Sequence, residues 1–560
     1  MDLTCTLAIF SGGLISYLLY SFLRPSPIAS IPYNNPPSAL SILGDIPSLL
    51  SHLKANSTNT FTTYTTSLLR TLNSPLIQVF TNPFRPPTLI LGDYAAAYDI
   101  SVHRTREFDR SPTVGYMLSG FIPEHHILLR TDERWKAQRR LIMGALSARY
   151  IFGVMAPVIE ERVVGLVELW REKSRLAGGR LWSAKRDVYL LALEGIVAFT
   201  FGGGFGGVAS REKVGDLRVQ SGGVGDEPVV FSEGRADAVL EATLEITKTM
   251  GELKGSLLPR VKWEIVRRSK SLRDAMIVME ENVQRELTKA VTKMHGKRKA
   301  VVMSAVEHMV AHERDLADKE GRKPDYFSRV MVDEIAGFTI AAYETTGTTL
   351  CWGLKYLTDF PEIQFNLRHA LEEGYAPAMR TGRSPTIQEI LDTDVPYLEA
   401  AVQEILRFAN PATAFDRQAL TDTQILGHAV PKGTIVTCVL PQPALISPGD
   451  IAKLSTRISD GEQPWDNPDL ALFKPGRWIQ NGKFNPRAAP QVAFGLGPRA
   501  CPGKRLAYLE IKAALVGVMW NFELLPCPVE VSGYGKDVLA TQKPKQCYLR
   551  LREITRPQED

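Results

Sequence analysis

The pattern of apolar and polar residues begins with a long apolar run at the N-terminus. No residue from Leu3 to Leu23 is charged, and Arg24 ends the run. A helix needs about 20 apolar residues to cross a bilayer. We therefore predict a membrane anchor at residues 1–24, with the following chain in the cytoplasm because a cation follows the run. A cleaved signal peptide is the alternative, but Asp2 and the lack of a clear small-residue cleavage site argue against it.

A segment rich in proline, serine and asparagine follows this run. Proline removes backbone donors and stiffens the chain. We therefore predict that residues 25–50 form a semi-rigid hinge, and that residues 51–560 form one large globular domain.

The hydrophobic periodicity of this domain predicts mostly helix. Apolar residues spaced three and four apart are typical of amphipathic helices. The helical pattern covers residues 158–171, 187–201, 275–293 and 326–360. Short β-type runs bounded by Pro, Asn and Gly occupy residues 76–80, 88–91 and 425–441. The glycine-rich residues 202–225 predict a surface loop. The expected fold class is mainly α with small β-sheets (α+β).

Composition and charge exclude several classes of protein. The 560 residues are 44% hydrophobic and 23% charged, which excludes a disordered or fibrous chain. A net charge of +5 is too small to indicate nucleic-acid binding, so we expect no nucleic-acid partner. The six cysteines contain no C-x-x-C pair, which argues against a zinc ribbon, and their low density argues against a disulfide framework. We expect Cys351 and Cys438, in apolar stretches, to be packing residues.

One cysteine lies in a loop suited to hold a thiolate. The loop reads Phe494-Gly-Leu-Gly-Pro-Arg-Ala-Cys501-Pro-Gly503. Its glycines permit positive φ and let backbone amides turn toward the sulfur. Arg499 adds a fixed positive charge. A thiolate held in this way can be an axial ligand of haem iron, although a surface turn with an inert cysteine is the simpler alternative.

The spacing F-G-x-G-x-R-x-C-x-G resembles the haem-binding loop of the cytochrome P-450 family. The resemblance implies that family's fold, haem b as cofactor, Cys501 as the iron ligand and Phe494 as a residue of the cofactor site. It also implies other motifs upstream, in a fixed order, and these are present.

Two of these motifs imply a structural triad. Glu404 and Arg407 lie three residues apart, so on a helix they share one face. Taken alone, such a pair is most often a solvated surface ion pair. Arg477 lies in Phe-Lys-Pro-Gly-Arg-Trp, and the resemblance implies that these three residues form a network that locks the core.

A third motif is implied to activate oxygen. Ala341-Ala342-Tyr343-Glu344-Thr345-Thr346 lies in the middle of a predicted helix and resembles the family's oxygen-binding segment. A threonine hydroxyl in a helix can bond to a carbonyl one turn back and open the helix locally. The resemblance implies that Thr345 assists oxygen activation and that Glu344 relays protons. The sequence departs from the family at Ala342, where glycine is common.

Basic residues are implied to hold the two haem propionates. Trp135 and Arg139 lie at i and i+4, so both side chains share a helix face and can donate to a carboxylate. The resemblance adds Arg417 and Arg499, and less strongly Arg110. In isolation, each would be an interface tryptophan or a solvated arginine.

The function that the resemblance implies is a haem-thiolate monooxygenase. It would insert one oxygen atom from O2 into a lipophilic small molecule, in secondary-metabolite (terpenoid or polyketide-type) biosynthesis. No flavin or dinucleotide fingerprint is present, so electrons would come from NADPH through a cytochrome P-450 reductase. The implied location is the endoplasmic reticulum membrane, with a single span and a cytoplasmic catalytic domain. The alternatives are a reductase-independent haem-thiolate isomerase or dehydratase, and a non-catalytic haem-binding membrane protein.

Overall fold

The fold is described from a computed structural model of the full chain. The residues described are 3–34, 37–56, 59–81, 86–202, 217–221, 225–232, 237–254, 256, 258–295, 302–439, 468–538 and 540–556.

Helices account for most of the described chain. They are α1 (Leu3–Leu23), α2 (Pro37–Leu40), α3 (Ile46–Ala55), α4 (Phe61–Thr71), α5 (Tyr94–Tyr98), α6 (Gly115–Leu118), α7 (Glu133–Met143), α8 (Ala148–Tyr150), α9 (Ala156–Ala177), α10 (Lys185–Phe201), α11 (Ala238–Lys254), α12 (Pro259–Val266), α13 (Lys270–His295), α14 (Ala305–Glu320), α15 (Arg329–Asp359), α16 (Pro361–Gly374), α17 (Ala376–Arg380), α18 (Ile387–Asp392), α19 (Pro396–Ala409) and α20 (Lys504–Asn521).

The strands are short and form one larger sheet and several small ones. They are β1 (Leu76–Val79), β2 (Thr88–Leu91), β3 (Phe108–Arg110), β4 (Trp182–Ser183), β5 (Val219–Ser221), β6 (Val230–Phe231), β7 (Ala414–Ala419), β8 (Thr423–Ile425), β9 (His428–Val430), β10 (Ile435–Val439), β11 (Ile479–Gln480), β12 (Lys483–Phe484), β13 (Phe522–Leu525), β14 (Lys536–Val538), β15 (Gln542–Pro544) and β16 (Tyr548–Glu553). The five-stranded sheet has the order β1-β2-β10-β7-β3, in which β10 is parallel to β2 and the other pairs are antiparallel.

Helix α15 passes through the centre of the core, and almost all of its residues between 331 and 358 are buried. Between residues 331 and 358 only Phe338, Ala341, Ala342 and Thr345 are not buried. These positions follow the spacing i, i+3, i+4, i+7, so they form one stripe on one face of the helix. A partly open stripe on an otherwise buried helix indicates a cavity along this face.

The predicted fold class, mainly α with small sheets, is confirmed by these elements. Within the predicted loop at 202–225, residues 203–216 and 222–224 lie outside the described residues, but Val219–Ser221 form a strand that pairs with Val230–Phe231. A glycine-rich sequence does not predict a strand. The strand at Val219–Ser221 forms because it pairs with Val230–Phe231, which lies outside residues 202–225.

The proline-rich segment is packed against the domain over part of its length. Ile31 is buried, and Asp45 is buried where it accepts hydrogen bonds from the Phe80 amide at 2.8 Å and the Tyr64 hydroxyl at 3.2 Å. Ile31 and Asp45 therefore pack against the globular domain, although both precede residue 51. We therefore place the start of the body near residue 31 rather than at the predicted boundary.

Helix α1 contacts the following segment through the Tyr20 hydroxyl, which donates to the Leu40 carbonyl at 2.7 Å, but most of its described surface is exposed. Its described side chains from Leu14 to Phe22 include several large exposed apolar groups, and Phe22 is 86% exposed. By length and composition, the helical run Glu133–Ala177 is the one candidate membrane span among the residues searched. Much of that run packs inside the core, as a buried helix of a globular domain does.

A buried carboxylate joins α19 to the segment that precedes the cysteine loop. Glu404 is fully buried and accepts hydrogen bonds from Arg407 at 2.9 Å, Arg477 at 3.0 Å, the Trp478 indole at 2.8 Å and the Lys474 amide at 2.8 Å. Donors on every side compensate for the cost of burying the charge. They hold the pKa of Glu404 below its usual value although burial, the largest single influence, raises it.

The neighbouring residue extends this connection to the cysteine loop and to α20. The side-chain amide of Gln491, in the approach to the loop, donates to the backbone carbonyl of Gln403 at 3.2 Å. The Gln403 side chain bonds to the hydroxyl of Tyr508 on α20. Helix α19 therefore fixes both sides of the loop that carries Cys501.

We predict that Arg477→Met lowers the free energy of unfolding by about 3–5 kcal/mol, because it leaves part of the charge on Glu404 uncompensated in the interior. Denaturant unfolding of the purified protein measures the loss. The control is Arg383→Met, which removes the exposed ion pair with Glu389 and should cost less than about 1 kcal/mol. Equal losses in the two variants would contradict the assigned role.

Candidate active site

The loop that carries Cys501 is closed by one short hydrogen bond and shaped by two glycines. The Cys501 amide donates to the Phe494 carbonyl at 2.7 Å. Gly495 and Gly497 have φ of 67° and 69°, a region that other residues rarely adopt. A Cβ on Gly497 would also collide with the carbonyl oxygen of Ser101. The sequence pattern of the loop is thus a requirement of its backbone.

The Cys501 thiol lies deep in the protein and is nevertheless accessible. Both observations agree if the sulfur faces an internal cavity. Burial raises the pKa of this thiol, while the Gly503 amide and the cations of Arg139 and Lys504 act in the opposite direction. A metal ion at the sulfur would complete this set of positive partners and favour the thiolate.

Four arginines from separate segments converge beside the loop. Arg139 of α7 donates to the Ala500 carbonyl at 3.3 Å, and Arg417 of β7 donates to the Leu496 carbonyl at 3.0 Å. Arg499 donates to the Leu129 carbonyl at 3.0 Å. The fourth, Arg110 of β3, lies directly opposite Arg417 in the antiparallel strand pair.

The environment of these arginines is unfavourable to their charge. Burial and the neighbouring guanidinium groups lower the pKa of Arg110 to about 10 and that of Arg499 to about 9. The pKa values of Arg139 and Arg417 are also lowered, chiefly by burial. Asp109 and Asp416 offset part of this charge, but the Arg110 Nε is buried without a hydrogen-bond partner in the described structure. The cluster therefore fits an anionic ligand.

Aromatic rings complete this side of the site. The Trp135 ring lies beside two guanidinium groups, with Arg499 at 4.8 Å and Arg139 at 5.3 Å from its centroid. Phe494 stacks on Tyr508 with a centroid distance of 5.4 Å. Trp135, Arg139, Arg499 and Phe494 are therefore brought together around the loop.

On α15, Thr345 and Glu344 turn to different surroundings. Thr345 belongs to the open stripe, and its hydroxyl donates to the Ala342 carbonyl at 3.0 Å. Glu344 is buried, and its Oε1 accepts from the Thr541 hydroxyl at 2.9 Å and contacts the Lys543 ammonium at 2.8 Å. Its Oε2 is buried with no partner in the described structure.

These observations together define the group that the site fits. It is a group with an atom that binds a thiolate and with negative charge at one edge. A haem has an iron for the sulfur of Cys501 and two propionates for the arginines, so the residues present fit it.

Comparison with known proteins decides the family. A sequence model described as Cytochrome P450 matches residues 43–547. The chain belongs to the cytochrome P450 family.

Two fungal relatives match this P450 over nearly their whole length. Cytochrome P450 monooxygenase TRI13 of Fusarium sporotrichioides is 34% identical, over 96% of this chain and 97% of the relative. Cytochrome P450 monooxygenase GME11363 of Pestalotiopsis microspora is 32% identical, over 98% of each. The crystal structure of the cytochrome P450DA heme domain matches with a TM-score of 0.68 and 19% identity, over 95% of this chain and 98% of that one, which shows the fold. The predicted enzyme class, a P450 monooxygenase, is confirmed.

Sequence reasoning missed a buried polar cluster beside the P450 arginines. The carboxylate of Glu334 accepts from the His126 amide at 2.7 Å, contacts the His126 ring at 2.7 Å and lies 3.5 Å from the His125 ring. Burial raises the pKa of Glu334 to about 7, and it lowers those of His125 to about 4 and His126 to about 3, with the nearby arginines acting in the same direction on both rings. Such a cluster holds neutral histidines at neutral pH. The adjacent His125-His126 pair was the available sequence signal.

We predict that Arg110→Met weakens haem retention about tenfold or more, because a charged donor to the anion is lost. The same change should leave the haem-free chain as stable or more stable by up to about 1 kcal/mol, because it relieves the repulsion across the strand pair. Haem transfer to apomyoglobin and denaturant unfolding measure the two effects.

The control for this experiment is Arg267→Met, which removes a surface arginine paired with Glu264. It should change neither quantity measurably. Unchanged haem retention in Arg110→Met, together with a less stable haem-free chain, would show that Arg110 is a packing residue.

Proposed function

We propose that this P450 inserts one oxygen atom from O2 into a lipophilic small molecule by hydroxylation, epoxidation or multistep oxidation. The observation that carries the proposal is the convergence of the four arginines beside Cys501. The open stripe of α15 would line the same cavity. Haem b bound through Cys501 would supply the reductive activation of O2. Analogy with the family's tailoring enzymes supports a secondary metabolite as substrate.

The protein's own contribution begins with binding and orientation. Arg110, Arg139, Arg417 and Arg499 would hold the two propionates, with Trp135 and Phe494 packing against the macrocycle. The arginines belong to β3, α7, β7 and the cysteine loop, so the cofactor would also join these segments. A cofactor that binds the folded chain stabilises it by mass action.

Thr345 and Glu344 would transfer protons toward the cavity. Thr345 presents its Oγ1 hydroxyl on the open stripe, one residue from a carboxylate that is itself bonded to Lys543. The Lys543 side chain is 18% exposed and therefore offers a contact with solvent. We assign the order Lys543, Glu344, Thr345 to the transfer of protons toward the cavity.

The side of the site around Cys501 would receive the electron donor. Lys136 and Arg140 on α7, and Lys504 at the start of α20, are exposed and lie near the loop. Lys136 is paired with Glu133 at 2.6 Å, so the patch is partly neutralised within the chain. We propose that these cations dock an acidic NADPH–cytochrome P-450 reductase.

Helix α1 would anchor the enzyme. It has 21 residues without a charge, and its described side chains include six large exposed apolar groups. This length suits a single span. We assign the protein to the endoplasmic reticulum membrane with its catalytic domain in the cytoplasm, where the reductase and lipophilic substrates would reach it.

We predict that the reduced wild-type protein with carbon monoxide shows the strongly red-shifted Soret band of a thiolate-bound haem. Cys501→Ala should lose this band, since no other sulfur lies in the loop. A folded wild-type protein without the band would contradict the proposal. Product formation that needs neither NADPH nor O2 would instead indicate an isomerase or dehydratase.

We predict that replacing Lys136, Arg140 and Lys504 together with glutamine slows reduction by NADPH and the reductase about tenfold at low salt, and flattens its salt dependence. Stopped-flow reduction at several ionic strengths measures both. A control with the same charge loss replaces Lys248, Arg267 and Lys270, which are exposed in α11 to α13. An unchanged salt dependence in the first variant would refute the docking patch.

A further inference from the structure

A lysine extends into the protein interior beside the cavity. Lys254 is the last residue of α11, and its neighbours Leu253 and Met250 are buried. The side chain of Lys254 is accessible, yet it is surrounded by protein, and burial lowers the pKa of its ammonium group. Both facts agree if the side chain crosses an internal space rather than reaching the outer surface.

Its contact shows which space this is. The Lys254 Nζ donates to the Ala540 carbonyl at 2.8 Å, in the turn between β14 and β15. The next residue, Thr541, donates its hydroxyl to Glu344 of α15 at 2.9 Å. Lys254 and Glu344 therefore bind consecutive residues of the same turn, Ala540 and Thr541.

Carboxylates on two sides act on this ammonium group. Glu344 and Asp416 both oppose the lowering of its pKa, so it lies between α15 and β7. Glu344 already contacts Lys543 at 2.8 Å, and Asp416 already accepts from the hydroxyls of Thr113 and Thr437 at 2.6 and 2.7 Å. Neither carboxylate lies within ion-pair distance of Lys254 in the described structure.

Lys254 thus keeps donor capacity in the cavity. An ammonium group has three N–H donors, and the described structure gives this one a single acceptor, the Ala540 carbonyl. Helix α11 packs against α15, whose open stripe consists of Phe338, Ala341, Ala342 and Thr345 and provides mainly apolar contacts. A molecule in this cavity would meet an apolar wall and one strong donor.

We propose that Lys254 binds an oxygen of the substrate, a carbonyl or a carboxylate, and thereby determines which part of the molecule faces the haem. The inference rests on the proposed function and names the substrate class for it: a lipophilic molecule with an accepting oxygen at some distance from the oxidised carbon. A polar group built into a site rejects analogues that lack its partner, because it is then left unpaired.

The test uses probes that report on the ferric enzyme without turnover. 1-Alkylimidazoles coordinate haem iron and shift the Soret band. We would compare them with ω-(imidazol-1-yl)alkanoic acids and the corresponding methyl ketones over a series of chain lengths. Spectral titration gives the Kd of each probe for the wild type, for Lys254→Met and for Lys248→Met, a control on the exposed side of α11.

The expected result is a chain length at which an oxygen-bearing probe binds the wild type about tenfold or more tightly than its alkyl counterpart. Lys254→Met should abolish that preference, and Lys248→Met should keep it. A preference for the acid alone indicates an anionic substrate, and a preference for the ketone as well indicates a carbonyl. The same preference in Lys254→Met, or none in the wild type at any length, overturns the inference.

Two readouts separate this failure from others. If plain alkylimidazoles give no Soret shift with the wild type, the proposed haem site itself is wrong. If they bind all three proteins equally but show no oxygen preference, only the role of Lys254 is wrong. The carbon monoxide spectrum of Lys254→Met checks that the variant is folded and holds haem.

Discussion

Mutual repulsion among buried arginines is the constraint on which the rest of this structure depends. Coulomb energies between unit charges rise severalfold when water is excluded. Arg110 and Arg417 nevertheless face each other across a strand pair, and Arg139 and Arg499 join them beside the cysteine loop. Asp109 and Asp416 offset part of this repulsion, and the propionates of a bound haem would relieve more of it. The arrangement therefore fits a cofactor whose iron Cys501 would hold.

The scaffold around the cysteine loop depends on a second buried charge, the carboxylate of Glu404. Glu404 is compensated by Arg407 and Arg477, and the adjacent Gln403 contacts both the approach to the loop and α20. Such networks contribute little net stability relative to an apolar core, but they fix one geometry because any other leaves a charge unpaired. This network helps to hold Cys501 deep in the fold, on a loop that contains only a short 3-10 turn at Gly497–Arg499.

The features of the site that depend on consecutive residues could be predicted from the sequence. The features that depend on contacts between residues far apart in the chain could not. The loop around Cys501 requires glycine at Gly495 and Gly497, so its backbone is visible in its pattern. Helix α15 was predicted from its periodicity. By contrast, the partner of Glu344 is Lys543, on a hairpin almost 200 residues later. Lys254 ends a helix in a region without any recognised motif.

The most direct test of the central claim is an experimental structure of the haem-loaded protein. The account predicts iron on the Sγ of Cys501 and both propionates within hydrogen-bond distance of the arginine cluster. Arg110 should bond through its Nε, which has no partner among the described residues. Iron held by any other residue, or propionates directed away from Arg110 and Arg417, would contradict it.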